Sequence, residues 1–71
     1  MMNIIDYWKN EYAMTLNVGL NELYDMECRV FEMDDVDLVN WANAHDVDLT
    51  ATVVVNGFEI PALEVWRWDF Q

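Results

Sequence analysis

The chain has 71 residues, 55% of them hydrophobic and 14% aromatic, with fourteen Asp or Glu against three Lys or Arg and a formal net charge of −11. That length holds one domain, residues 1–71, near the lower size at which a single core folds without staples, and the apolar and aromatic content excludes an acidic disordered tail. The charge opposes direct contact with nucleic acid or an anionic membrane, which both attract Lys and Arg, and it points to a basic protein surface as the partner.

The single cysteine, Cys28, cannot form an internal disulfide, so the fold relies on its core and a reducing cytoplasm is the simplest compartment. The start Met1-Met2-Asn3-Ile4-Ile5-Asp6 lacks the basic and apolar regions of a signal peptide. No apolar run approaches the roughly 20 residues that span a bilayer. The expected setting is therefore cytoplasmic.

From Asn3 to about Leu16, residues Ile4, Ile5, Trp8, Tyr12 and Leu16 fall at helical spacing, with Asn3 as N-cap and Asp6 three residues on. Asn17-Val18-Gly19 is expected to end this helix, Gly19 taking the left-handed conformation. Between Leu20 and Met33 two periods compete. Alternation puts Tyr24, Met26, Cys28 and Val30 on one face of a strand and Asp25, Glu27 and Arg29 on the other, with Phe31 breaking the pattern. A helix gathers most apolar side chains on a wide face, with Glu27 the main exception, and propensities favour it mildly. The strand, from about Leu23 to Met33, is preferred because the hairpin that follows needs a third strand.

Asp34 to His45 reads as a helix, capped by Asp34 and with Asp35 and Asp37 in its first turn; Leu38, Trp41, Ala42 and His45 share one face. Val47 to Val55 alternates, with Val47, Leu49, Ala51, Val53 and Val55 facing one way. Asn56-Gly57 then supplies the two positive-φ residues of a tight hairpin turn. The partner strand runs from Phe58, with Phe58, Ile60, Ala62, Trp66, Trp68 and Phe70 on one face. Val55 pairs with Phe58 and Val53 with Ile60, so the apolar faces coincide. Pro61, without an amide donor, marks an edge strand or a bulge. The expected fold class is α+β: a small antiparallel sheet, the C-terminal hairpin plus a third strand, packed with two helices.

Nothing in the chain fits an enzyme. There is no Ser, and the one Cys and one His fall on a core face and at a helix end, where a buried thiol and a dipole-compensating imidazole are ordinary structural groups. Asp34, Asp35 and Asp37, or Asp46 and Asp48, offer hard oxygen ligands, yet the further ligands, central Gly and terminal Glu of a calcium loop are missing. Two Gly leave no phosphate-cradling loop, and Lys9 alone cannot hold a phosphate for metal-assisted hydrolysis. No catalytic residue, metal or cofactor is expected.

What remains is the acidic array of Asp25, Glu27, Glu32, Asp34, Asp35, Asp37, Asp46 and Asp48, opposed within residues 24–49 only by Arg29. Asp34, Asp35 and Asp37 have a structural reason, since a helix start favours negative charge by about 0.3–1 kcal/mol each. The others do not. On a strand, Asp25 and Glu27 project about 6.8 Å apart, near two steps of a nucleic-acid backbone that advances roughly 3.4 Å per phosphate along each strand.

In small size, single domain, strong acidity and lack of catalytic groups, the chain resembles the DNA-mimic inhibitors of phages and mobile elements, including anti-CRISPR and anti-restriction proteins. The resemblance covers composition and rests on no motif, and those families share no single fold. It implies inhibition of a nucleic-acid-binding bacterial defence complex, such as a CRISPR-Cas effector, inside the host cell, with the eight acids engaging the target's Lys and Arg. Exposed Trp41 or Trp66 would add an anchor to such an interface. Two other readings are compatible with the charge: an immunity protein or antitoxin covering a basic nuclease toxin, and a structural acidic subunit whose carboxylates form a hydrated face.

Overall fold

The computed structural model describes residues 1–14 and 19–70. Its elements are helices α1 (Ile4–Ala13), α2 (Leu20–Glu32) and α3 (Asp35–Ala44), strands β1 (Thr52–Val55) and β2 (Phe58–Pro61), and helix α4 (Ala62–Phe70). The class is α+β, with a two-stranded antiparallel sheet.

Helix α1 starts as expected, the Asn3 side chain accepting from the Asp6 amide at 2.8 Å, which satisfies one of the otherwise unpaired N-terminal donors. It buries Ile4 and Trp8, with Ile5, Tyr7 and Tyr12 packed partly against the core. It closes at Met14, short of the expected end. Leu16, Asn17 and Val18 lie outside the described residues. Gly19 does not take a left-handed conformation: its φ of −64° and ψ of 148° are extended, and it is the N-cap of α2.

The strand expected from Leu23 to Met33 is instead most of α2. Leu23, Glu27 and Val30 are its buried residues, and their spacing of four and three is that of one helical face. Tyr24 and Met26, inward on the strand reading, are exposed. The third strand is therefore absent among the described residues. The hairpin finds its support elsewhere: the Ala62 amide at the start of α4 donates to the Ala51 carbonyl at 2.9 Å, and Leu49, Val53 and Leu63 pack against the common core.

Helix α3 follows its expected course. Asp34 caps it, accepting from the Asp37 amide at 2.8 Å; Leu38 and Ala42 are buried, and His45 ends it. Asp46 then turns the chain with φ 58°, and Val47 makes an isolated parallel bridge to Met2, the Asp48 amide donating to the Met2 carbonyl at 2.9 Å. The strand expected from Val47 thus begins only at Thr52. The alternation holds from Leu49 onward, with Leu49, Ala51, Val53 and Val55 more covered than Thr50, Thr52 and Val54, but fails at Asp48, which is half-buried where the pattern turns it outward.

The hairpin has the expected register, Val55 opposite Phe58 and Val53 opposite Ile60, with Asn56 and Gly57 at φ 51° and 84°. Its second strand stops at Pro61. The expected continuation to Phe70 is α4, because Ala62, Trp66 and Phe70 are spaced by four and satisfy a helical face as well as an alternating one. Trp68 separates the two readings, being 56% exposed where a strand would turn it inward. Proline's fixed φ and missing donor suit the entry to a helix. The core joins Ile4 and Trp8 of α1, Leu23 and Val30 of α2, Leu38 and Ala42 of α3, Val47, and Ala62 and Trp66 of α4.

Candidate partner-binding surface

The eight acids singled out above do not form one array. Asp25, Glu32, Asp34, Asp35, Asp37 and Asp46 are exposed, Asp48 is half-buried and Glu27 is buried. The pair expected from Asp25 and Glu27 on one strand face fails because a helix turns adjacent odd-numbered side chains about 200° apart. Glu27 faces the core.

Two groups result, the first of them fully exposed. The first is centred on the junction of α2 and α3, where Glu32 ends one helix and Asp34, Asp35 and Asp37 begin the next. Asp25 lies on the Glu32 face of α2, seven residues earlier and about 10 Å away along the axis, with Arg29 between them. The second group, Asp46 and Asp48, sits at the far end of α3, a ten-residue helix and so about 15 Å from the first. In the first group Asp34 has one oxygen committed to the Asp37 amide, leaving a second oxygen and the charge.

Asp48 is held differently. Its Oδ1 accepts from the Thr50 hydroxyl at 2.7 Å and the Thr50 amide at 2.9 Å, and these bonds, the hydroxyl first, lower its pKa below 3.8. A depressed carboxyl pKa contributes stability above the unfolded value that is lost as pH falls through the folded one. Thr50→Val removes the hydroxyl donor and keeps the amide. The expected result is an upward move of the Asp48 titration, followed by carboxyl-carbon NMR between pH 2 and 6.

The constellation that alternation hides is built around Glu27. Tyr12 Oη donates to its Oε1 at 2.7 Å and Trp66 Nε1 donates to its Oε2 at 2.7 Å, so one carboxylate ties α1, α2 and α4 together. Two donors on two oxygens match the acceptor-only ionised form. Burial first, and the Glu27 hydrogen bond and charge next, push the Tyr12 phenol well above its ordinary 10.0. The signal was present in the sequence: in helical projection Glu27 is the one acid on the apolar face of α2.

Of the two tryptophans expected as possible anchors, Trp66 is in the core and Trp41 is half-buried, stacked on Trp8 with centroids 5.8 Å apart and planes 9° apart. His45 stacks on Trp41 at 4.9 Å, its Nδ1 2.8 Å from the Trp41 carbonyl. The exposed tryptophan is Trp68. Among the described residues no group of three His, Cys, Asp or Glu is placed to hold a metal ion, and no helix is long and apolar enough to cross a membrane. Comparison with protein-family models, curated proteins and solved structures finds no match.

Proposed function

We propose that this protein is a binding inhibitor that presents its acidic surface to the basic groove of a nucleic-acid-binding bacterial defence complex, in the manner of anti-CRISPR proteins, and works in the host cytoplasm without catalysis or cofactor. The observation that carries this reading is the exposed run Glu32, Asp34, Asp35 and Asp37 at the α2–α3 junction, in a chain whose net charge is −11. Such a field attracts and orients a surface of Lys and Arg and repels nucleic acid itself. Asp25 and Asp46 extend it along two directions, and Asp48 extends it further where it is exposed. Glu27 lies outside this exposed run, because it is buried and accepts from Tyr12 and Trp66.

The test is capture from bacterial lysate on the immobilised protein, eluted with a salt gradient and identified by mass spectrometry. Recovery of a nucleic-acid-binding complex that leaves at raised salt and is displaced by DNA or RNA is expected. Recovery of no basic partner, or of the chain's own copies alone, refutes the reading and leaves the acids as a solvated face.

Trp68 supplies a second measurement. It is exposed on α4 together with Glu64 and Asp69, an aromatic body beside carboxylates, and exposed tryptophans are over-represented among residues that dominate binding. Trp68→Ala is expected to change stability by no more than about 0.5 kcal/mol, while weakening target binding by about 2 kcal/mol, roughly thirtyfold. Thermal melts and titration calorimetry against the captured target separate the two effects.

A further inference from the structure

Between α1, α2 and α4 lies a cleft of about 320 Å³ lined by Tyr12, Tyr24, Glu27, Trp66, Asp69 and Phe70. The aromatic rings and carboxylates among these described residues favour positive charge. Four of the six side chains are aromatic, and ring faces carry the negative lobe of the quadrupole. The other two are carboxylates. No Lys, Arg or His stands among them.

The inner end is formed by Glu27 and Trp66, 8% and 5% exposed, and the rim by the exposed Tyr24 and Asp69. One wall is fixed by ring packing: Tyr24 stacks on Phe70 with centroids 5.7 Å apart and planes 18° apart, and Trp66 meets Phe70 at 5.6 Å. Phe31 backs this wall, 4.9 Å from Phe70 and 5.8 Å from Trp66. Buried glutamates are almost always paired, yet both hydrogen bonds to Glu27 come from neutral donors. A carboxylate has about four acceptor positions, so two remain after Tyr12 and Trp66 have bonded.

We infer that this cleft is a binding site for one organic cation, an alkylammonium or guanidinium head group, held between the aromatic wall and the Glu27 and Asp69 carboxylates. A neutral apolar ligand would desolvate Asp69 without return, and an anion would meet two like charges. The source of the head group, a Lys or Arg of the bound target, rests on the proposed function; the chemistry of the cleft does not.

Titration of the full chain with choline, N-acetyl-lysine methylamide and N-acetyl-arginine methylamide, followed by NMR at constant ionic strength, tests it. The Trp66 indole N–H and Tyr24 ring signals are expected to shift saturably, and those of the exposed Trp68 to stay in place. The neutral isosteres 3,3-dimethylbutan-1-ol and N-acetyl-citrulline methylamide should produce no comparable change. Tyr24→Leu and Asp69→Asn, both at the rim, should each weaken cation binding about two- to fivefold, the scale of one exposed cation–π contact for the first and of one exposed ion pair for the second.

Equal response to the neutral isosteres, absence of saturation, or a shift spread evenly over the acidic helix ends overturns the inference. Cation binding with no basic partner recovered from lysate keeps the cleft and discards the inhibitor. A captured basic target with no response at Trp66 does the reverse.

Discussion

Glu27→Ala is expected to lower the stability of this domain by about 3–5 kcal/mol, enough to leave much of it unfolded near 37 °C. The carboxylate accepts two 2.7 Å hydrogen bonds from groups on two other helices, and hydrogen bonds to a charged acceptor contribute about 1.5–3 kcal/mol each. Removing it also orphans the buried indole N–H of Trp66, at the further cost of an unsatisfied donor. A domain of this length has roughly 4–10 kcal/mol in total, and at about 4–8 °C per kcal/mol the midpoint should fall by at least 12 °C. Glu27→Gln keeps one acceptor oxygen but turns an amide N–H₂ toward a donor, so its loss should be intermediate. The combination of Glu27→Met, Trp66→Phe and Tyr12→Phe replaces the network by apolar groups of similar shape and should recover most of the loss. Thermal melts of the three variants decide the matter. A Glu27→Ala midpoint within 3 °C of the parent would mean that the carboxylate is not the tie between these helices.

The same residue explains where sequence reasoning succeeded and where it failed. Asn3 and Asp34 were legible because an N-cap is a local device: the side chain bonds an amide three residues away, whatever the rest of the chain does. Asn56-Gly57 was legible for the same reason, positive φ at both residues being the turn's own requirement. The α2 segment was not, because Leu23 to Met33 satisfies two periods and only tertiary packing selects between them. The hairpin is supported by a helix instead. Glu27 looked like the flaw in the helical projection and is the residue that the projection places correctly. A glutamate on an apolar helical face between well-formed helices signals a buried hydrogen-bonded acid as well as a misassigned period.

The C-terminal segment misled in a complementary way. Ala62, Trp66 and Phe70 differ by four, a spacing that two strand periods and one helical turn share, and only Trp68 distinguishes them. Its exposure moves the aromatic surface from Trp66 to Trp68 and leaves Trp66 as a core indole bonded to Glu27. The acids near the α2–α3 junction were readable from their crowding in sequence, whereas the Tyr12, Glu27 and Trp66 constellation joins residues 15 and 39 positions apart and depends on the packing of three helices.

On the proposed inhibitor function, changing Asp34, Asp35 and Asp37 together to Asn should slow association with the target about tenfold at low salt, the lower range of electrostatic steering, and the variant and parent should converge as salt approaches 1 M. The substitution suits the question because capping and charge can be separated at this site. Asparagine caps a helix as well as aspartate, and its carbonyl oxygen can keep the 2.8 Å bond that Asp34 now accepts from the amide of residue 37. What is lost is the favourable placement of negative charge at a helix start, about 0.3–1 kcal/mol for each carboxylate, so the variant should remain folded with a lower midpoint. Stopped-flow association across a salt series, with a melt of each sample, reads both consequences. Parental rates with the fold intact would assign the junction acids to helix capping alone and move the interface toward Trp68 and α4; a slower rate with a flatter salt dependence would identify Glu32 to Asp37 as the face that meets the basic groove.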